Sequence, residues 1–118
     1  MVSVCQFRFR GSKIFEVYAA NTPEIICYHC QQSGEKYLKG FIAFNGGEIR
    51  RTHDLIILNQ VCIRYNKRFE EIIDDCINLT DYGIQTRYPF ELEINEKDMN
   101  MAIESATKIQ KFVMQFIK

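Results

Sequence analysis

The sequence has no excess of either charge, since 15 lysines and arginines balance 15 aspartates and glutamates. Binding of nucleic acid through overall charge is therefore excluded, and any phosphate contact has to come from a local basic patch. No apolar run reaches the roughly 18 residues of a membrane-spanning helix. Arg8 and Arg10 interrupt the N-terminal segment, which therefore lacks the apolar region of a signal peptide. These absences predict a cytoplasmic protein without a membrane partner.

The five cysteines lack the spacing of a disulfide framework. Cys27 and Cys30 form a C-x-x-C pair, which is typical of zinc and redox sites, but no second pair follows. Both thiols fall on the apolar side of one predicted helix, which favours buried structural cysteines. A glycine-rich phosphate loop, a zinc-binding His-Glu-x-x-His helix, a dinucleotide fingerprint and a nucleophile elbow are also missing. We therefore expect no metal and no cofactor.

The stretch from Tyr28 to Lys39 has the pattern of a long amphipathic helix with a wide apolar face. Asn21-Thr22-Pro23-Glu24 suits a helix start, and Gly46-Gly47 suits an end near Asn45. The predicted apolar arc comprises Ile26, Cys27, Cys30, Gly34, Tyr37, Leu38, Phe41 and Phe44. The predicted polar arc comprises Tyr28, Gln31, Gln32, Glu35, Lys36 and Lys39. Because Gly34 lies within the apolar arc, we expect another helix to approach closely there.

Three more helices are predicted further along the chain. Thr52 is the expected cap of the next one, with a break near Asn66, and Asn95 and Asp98 suit the capping box of the last. Each of these three helices has a predicted apolar stripe. In chain order, the stripes comprise Leu55, Leu58, Val61, Cys62 and Tyr65; then Phe69, Ile72, Ile73, Cys76 and Ile77; and then Ala102, Ile103, Ala106, Ile109, Val113, Phe116 and Ile117. Ile94 and Met99 are placed for a hydrophobic staple.

The segments 1–20 and 81–90 are less regular. Residues 4–10 alternate like a strand, whereas 14–18 have helical spacing; Gly83 and Pro89 mark 81–90 as a loop. With 118 residues, we expect one domain over 1–118 that is all-α, an up-and-down bundle of four to five helices.

Candidate functional residues form three groups. Arg50, Arg51, His53 and Asp54 surround a predicted helix start, where arginines, histidine and free backbone N–H groups suit a phosphate; the alternative is a solvated loop.

Arg87 and Tyr88 suit a clamp on a base or phosphate, or else a structural corner with Arg87 paired to a carboxylate such as Glu35. The third group, Glu35, Lys36 and Lys39, is typical of a solvated face or an ion-pair network. His29 is expected to be partly buried and receives no role.

Three segments resemble the HEPN domain family in the expected order: Gln31 to Lys39, Thr52-His53-Asp54-Leu55 and Thr86-Arg87-Tyr88-Pro89. The resemblance covers most of the chain and implies a helical bundle whose first helix lies before residue 21. It also implies nucleotide or RNA binding. Many members pair with a minimal nucleotidyltransferase in a toxin–antitoxin-like system.

Active toxins of the superfamily are dimeric, metal-independent ribonucleases with an arginine, four to six residues and then a histidine. Neither His29 nor His53 has an arginine at that distance. The resemblance therefore favours a binding module that engages a nucleotide or RNA and a nucleotidyltransferase partner. A ribonuclease using His53 and Arg87, or a structural oligomer, is the alternative. We also predict a homodimer, because a small bundle has difficulty covering Tyr37, Phe41, Phe44, Phe112 and Phe116.

Overall fold

The computed structural model describes residues 23–83 and 94–117, and within these ranges the protein is a helical bundle without strands. The helices are α1 (Pro23–Phe44), α2 (Leu55–Tyr65), α3 (Ile73–Thr80) and α4 (Glu96–Met114). Two 3-10 helices, Lys67–Ile72 and Asp81–Gly83, flank α3. The predicted all-α bundle is confirmed. The predictions for residues 1–20, for most of the loop 81–90 and for Cys5 fall outside the described residues.

Helix α1 is the centre of the bundle, since it packs most extensively against α4 and also contacts α2 and α3. It begins at Pro23 as predicted, and Gly46 follows its end with a φ of 77° that favours glycine. A Cβ atom on Gly34 would lie 3.2 Å from Leu55 Cδ1 and 3.4 Å from Ile109 Cδ1. The predicted close approach at Gly34 is therefore confirmed, and it joins α1 to α2 and α4.

The start of α4 follows the sequence signal closely. The Asn95 side chain accepts a hydrogen bond from the Asp98 N–H, and the Asp98 carboxylate accepts one from the Asn95 N–H. This is the predicted capping box. Of the two residues expected to form a staple, Met99 is part of the buried core and Ile94 is partly buried and packs against it.

The predicted apolar stripe of the fourth segment is wrong in part. Phe69, Ile72 and Cys76 are buried, but Ile73 and Ile77 are 37% and 49% exposed. The reason is a change of helix type, because residues 67–72 form a 3-10 helix with about three residues per turn and α3 starts only at Ile73. A single 3.6-residue period therefore assigns the wrong face to those two isoleucines.

Aromatic rings fill one end of the core. Phe69 lies 4.3 Å from Phe41 and 4.9 Å from Phe112 between ring centroids, and Phe112 lies 5.2 Å from Phe116. Phe41 and Phe112 are buried within this single chain, so they supply no surface for a dimer. Of the aromatics behind the dimer prediction, Phe44 is the most exposed, at 55%.

Candidate functional site

The most specific polar contact in the described residues joins α1 to the segment before α2. His53 Nδ1 lies 3.0 Å from both Oε1 and Oε2 of Glu35. Since a carboxylate can only accept, Nδ1 carries the proton and Nε2 is the other ring nitrogen. The Glu35 side chain is 9% exposed, whereas that of His53 is 67% exposed. A buried carboxylate thus orients an imidazole that solvent and ligands can reach.

Two neighbours on α1 complete the contact, and both lie one helical turn from Glu35. Lys39 Nζ bonds Glu35 Oε2 at 2.8 Å. Gln31 Nε2 donates to the backbone oxygen of His53 at 2.8 Å and lies 3.4 Å from Glu35 Oε1. The side chain of Gln31 therefore fixes the backbone of His53, while Glu35 fixes its ring.

The predicted polar face of α1 needs a correction at two positions. Gln31 is fully buried and Glu35 is 7% exposed. The backbone oxygen of His53 accepts a hydrogen bond from Gln31, and the His53 ring and Lys39 bond the carboxylate of Glu35. Both buried polar groups therefore have the partners that burial requires. Of the expected alternatives for the third group, the ion-pair network is confirmed for Glu35 and Lys39, whereas Lys36 is exposed.

The charge state of Glu35 is set by two opposing effects. Burial alone would raise the pKa of Glu35, because it disfavours the charged carboxylate. The hydrogen bonds and charges of Lys39 and His53 outweigh burial and lower the pKa below its usual value. Glu35 is therefore a carboxylate at neutral pH and a fixed acceptor for His53.

The start of α2 differs from the prediction. Asp54, not Thr52, is the N-cap: its Oδ1 accepts from Ile56 N at 2.8 Å and from Thr80 Oγ1 at 3.2 Å. Thr80 Oγ1 in turn accepts from Leu55 N at 3.0 Å. The first backbone N–H groups of α2 are thus already satisfied, and they are not available to a phosphate in this arrangement. Asp54 has a structural role here, and its ligand contact stays a prediction.

Two basic residues precede His53 in the same segment. Arg50 and Arg51 are exposed, and neither forms a hydrogen bond or ion pair within the described residues. Their guanidinium groups are therefore open to solvent. Arg87 and Tyr88 lie outside the described residues, so their meeting with His53 stays a prediction.

The buried thiols have no part in this site. Cys27, Cys30, Cys62 and Cys76 are free and buried, as predicted. Burial raises the pKa of the Cys62 thiol to about 12, which keeps it protonated and unreactive. In residues 23–83 and 94–117 no group of three or more metal-ligating side chains could hold an ion. No helix in the described part combines the length and apolarity that crossing a bilayer requires.

Chemically, the arrangement is a helical bundle with a carboxylate-oriented imidazole and, two and three residues earlier in the same segment, two exposed guanidinium groups. Comparison with protein families identifies the class of helical domain. The model of the HEPN domain matches residues 14–116, nearly the whole chain, so the protein belongs to the HEPN domain family. Comparison with curated proteins and with solved structures gave no match.

Sequence reasoning named His53, Glu35 and Lys39 as candidates but did not join them in one site. It placed Gln31 on the polar arc and offered Arg87 as a partner of Glu35. Gln31, Glu35 and Lys39 recur at four-residue spacing, which marks one stripe on α1 and was a readable signal. Nothing in that spacing identifies His53 as their partner, because the contact with Glu35 bridges 18 positions.

Proposed function

We propose that this HEPN domain is a binding module for the phosphate of a nucleotide or an RNA. The observation that supports the proposal is the contact of 3.0 Å between buried Glu35 and exposed His53. When the ring is protonated, Nε2 donates to a phosphate oxygen while Nδ1 stays bonded to Glu35. Arg50 and Arg51 add charge-assisted hydrogen bonds from the same segment. Arg87 and Tyr88 are further proposed ligand contacts.

The chain supplies a matched control, since it has two histidines. His29 is half-buried, and burial is the largest of the effects that lower its pKa. The experiment records the imidazole NMR signals of both histidines during titration with inorganic phosphate and a nucleoside monophosphate. We expect the His53 signals to move and those of His29 to stay. His53→Ala should abolish binding, whereas His29→Ala should keep it.

Movement of neither histidine at millimolar ligand would exclude the site. Equal movement of both would show a change of pH or fold in place of binding. Glu35→Gln, which keeps an acceptor for His53 but removes the charge, should weaken binding without abolishing it.

A second candidate function is RNA cleavage without a metal. A histidine held by a carboxylate is suited to general acid–base chemistry, which favours this alternative more than the sequence spacing did. It also needs a group that stabilises the developing anion, and an arginine is the natural one. Arg87 has that role in this alternative. Cleavage and binding both use His53. They are distinguished by the product, because only cleavage yields shorter RNA fragments.

We also propose a homodimer and a minimal nucleotidyltransferase as a toxin–antitoxin-like partner, as the family resemblance implies. Ile73 and Ile77 support a protein contact, because they lie one turn apart on α3 and are both exposed. Light scattering should give twice the chain mass of 13.9 kDa, and Ile73→Glu with Ile77→Glu should shift it toward the monomer. Monomers of the native chain at micromolar concentration would refute the dimer. Gel filtration with a nucleotidyltransferase encoded beside this gene tests the partner.

A further inference from the structure

A cleft opens between the segment that follows α1 and the C-terminal half of α2. Its volume is about 470 Å³, and its lining comprises Glu48, Ile49, Arg50, Val61, Arg64 and Tyr65. This size lies within the range of small-molecule sites and is sufficient for one nucleobase with its ribose. None of the residues that contact Glu35 lines this cleft, but Arg50 does, and its segment leads on to His53.

The lining combines a flat apolar surface with cations. Tyr65 is 45% exposed and Ile49 is 47% exposed, so both offer apolar surface to a ligand. The Tyr65 ring rests edge-on against buried Phe41, with 6.4 Å between centroids, and this contact restricts its motion. Arg64, like Arg50, forms no hydrogen bond or ion pair in the described ranges. A planar ring between tyrosine and guanidinium groups gains stacking and cation–π attraction.

Gly47 allows the two walls of the cleft to lie close together. Its N–H donates to the Ile42 oxygen at 2.9 Å, which holds the segment against α1. A Cβ atom at this position would collide with the hydroxyl of Tyr65 and lie 2.9 Å from Ile42 Cγ2. Only glycine lets the chain pass so close to Tyr65. A side chain at residue 47 would therefore displace Tyr65 from the wall of the cleft.

The hydrogen-bonding groups and the distance along the chain favour one orientation. Glu48 can accept a hydrogen bond from an amino group or a ribose hydroxyl, which an ionised phosphate cannot donate. Arg50 is three residues before His53, and three residues span at most about 11 Å, which is comparable to the length of a nucleotide. A phosphate at His53 and a base in the cleft are thus compatible with one ligand.

We propose that this cleft binds the unpaired base of the nucleotide or RNA whose phosphate lies at His53, an inference that rests on the proposed phosphate site. The base stacks on Tyr65, Arg64 covers it, and Glu48 contacts its polar edge or the ribose. A base inside a duplex is stacked on both faces and does not fit such a cleft.

The test is calorimetric titration with a nucleoside monophosphate, ribose 5-phosphate, a single-stranded dinucleotide and a short RNA duplex. We expect the monophosphate to bind roughly tenfold tighter than ribose 5-phosphate, as stacking of one base predicts. Tyr65→Ala and Gly47→Ala should remove that advantage and leave the affinity for ribose 5-phosphate unchanged. Tyr65→Phe should retain it, and so should Phe44→Ala, which removes an exposed aromatic outside the cleft.

Equal affinity for the monophosphate and ribose 5-phosphate would overturn the base site and leave the phosphate site standing. Binding of neither compound would overturn both. Tighter binding of the dinucleotide than of the monophosphate identifies RNA as the source of the base, and the reverse order identifies a free nucleotide. Preference for the duplex would also refute the proposal. Thermal melting of each variant separates a lost contact from a lost fold.

Discussion

Glu35 and His53 meet at 3.0 Å although 18 positions separate them in the chain. The carboxylate is almost buried and the imidazole is mostly exposed, so the pair joins the core of the bundle to its surface. A structural contact would be as effective with both partners buried. The exposure of the ring is what makes His53 the centre of the proposed binding site and Glu35 the residue that positions it.

The first prediction concerns Glu35 and pH. The folded-state pKa of Glu35 lies below its ordinary value of 4.5, so the carboxylate stabilises the fold above that pH and the stabilisation is lost as the pH falls through the folded pKa. We expect Glu35→Gln to be less stable than the native chain at pH 7, and the difference in unfolding free energy should shrink as the pH falls below 4.5 through the folded pKa of Glu35. Urea unfolding followed by circular dichroism at several pH values measures the difference.

Glu71 supplies the control for this experiment. Its side chain is 57% exposed and its ion pair with Arg68 is on the surface. Glu71→Gln should change the free energy of unfolding by less than about 0.5 kcal/mol at every pH of the series. If Glu35→Gln lowered the free energy of unfolding by the same amount from pH 3 to 7, packing and not charge would be responsible.

The second prediction compares two glycines of α1. A side chain on Gly34 meets Leu55 and Ile109, whereas one on Gly40 meets nothing within 4 Å. Gly34→Leu should destabilise the fold by about 1–3 kcal/mol or more through overpacking. Gly40→Leu should stabilise it by roughly 0.5–1 kcal/mol, because glycine is a poor helix former. Melting temperatures that moved in the same direction would refute the assignment of helix faces.

Lys36 and Lys39, which the sequence places on one polar face of α1, differ as surface controls for these glycine variants. The sequence suggested an exposed charge at both, but Lys39 is bonded to Glu35 at 2.8 Å and its side chain is only 22% exposed. Lys36 is exposed, so a change there tests the surface of α1 alone. We therefore expect Lys36→Ala to lower the free energy of unfolding less than Lys39→Ala does.

Local signals in the sequence predicted the helices of the fold. They did not predict the contacts between residues that are distant in the chain. Pro23 and the capping box of Asn95 and Asp98 act through neighbouring residues, so their spacing alone identifies them. The burial of Gln31 depends on the backbone of His53, 22 positions away. A helical wheel contains no information about such a covering segment.

The third prediction separates a structural role of Asp54 from a ligand contact. Its Oδ1 caps α2 and bonds Thr80. Asp54→Ala should cost about 1–2 kcal/mol of unfolding free energy, and Asp54→Asn, which keeps a capping oxygen, should cost far less. Chemical denaturation gives both values. If Asp54→Asn kept full stability but lost phosphate affinity, the carboxylate would be a ligand contact after all.

The fourth prediction is a salt dependence of binding. Each phosphate contact releases counterions, so the logarithm of the RNA affinity should fall linearly with the logarithm of salt concentration. Arg50→Ala or Arg51→Ala should each reduce that slope by about 0.7 for single-stranded RNA. Lys67→Ala, an exposed cation on the 3-10 helix outside the site, should leave it unchanged. Fluorescence anisotropy of labelled RNA measures the slopes. Unchanged binding after replacement of Arg50, Arg51 and Arg87 together would remove the proposed site.

The last prediction is that binding occurs without efficient RNA cleavage. Cleavage requires a base near the 2′-hydroxyl and a cation near the developing anion, both within about 3 Å of the reacting atoms. His53 and Glu35 supply the first requirement, but no arginine in the described ranges contacts His53. The purified protein should therefore leave structured RNA intact in the presence of a chelator. Chelator-resistant cleavage that disappears in both His53→Ala and Arg87→Ala, while His29→Ala retains it, would replace the binding module with a ribonuclease.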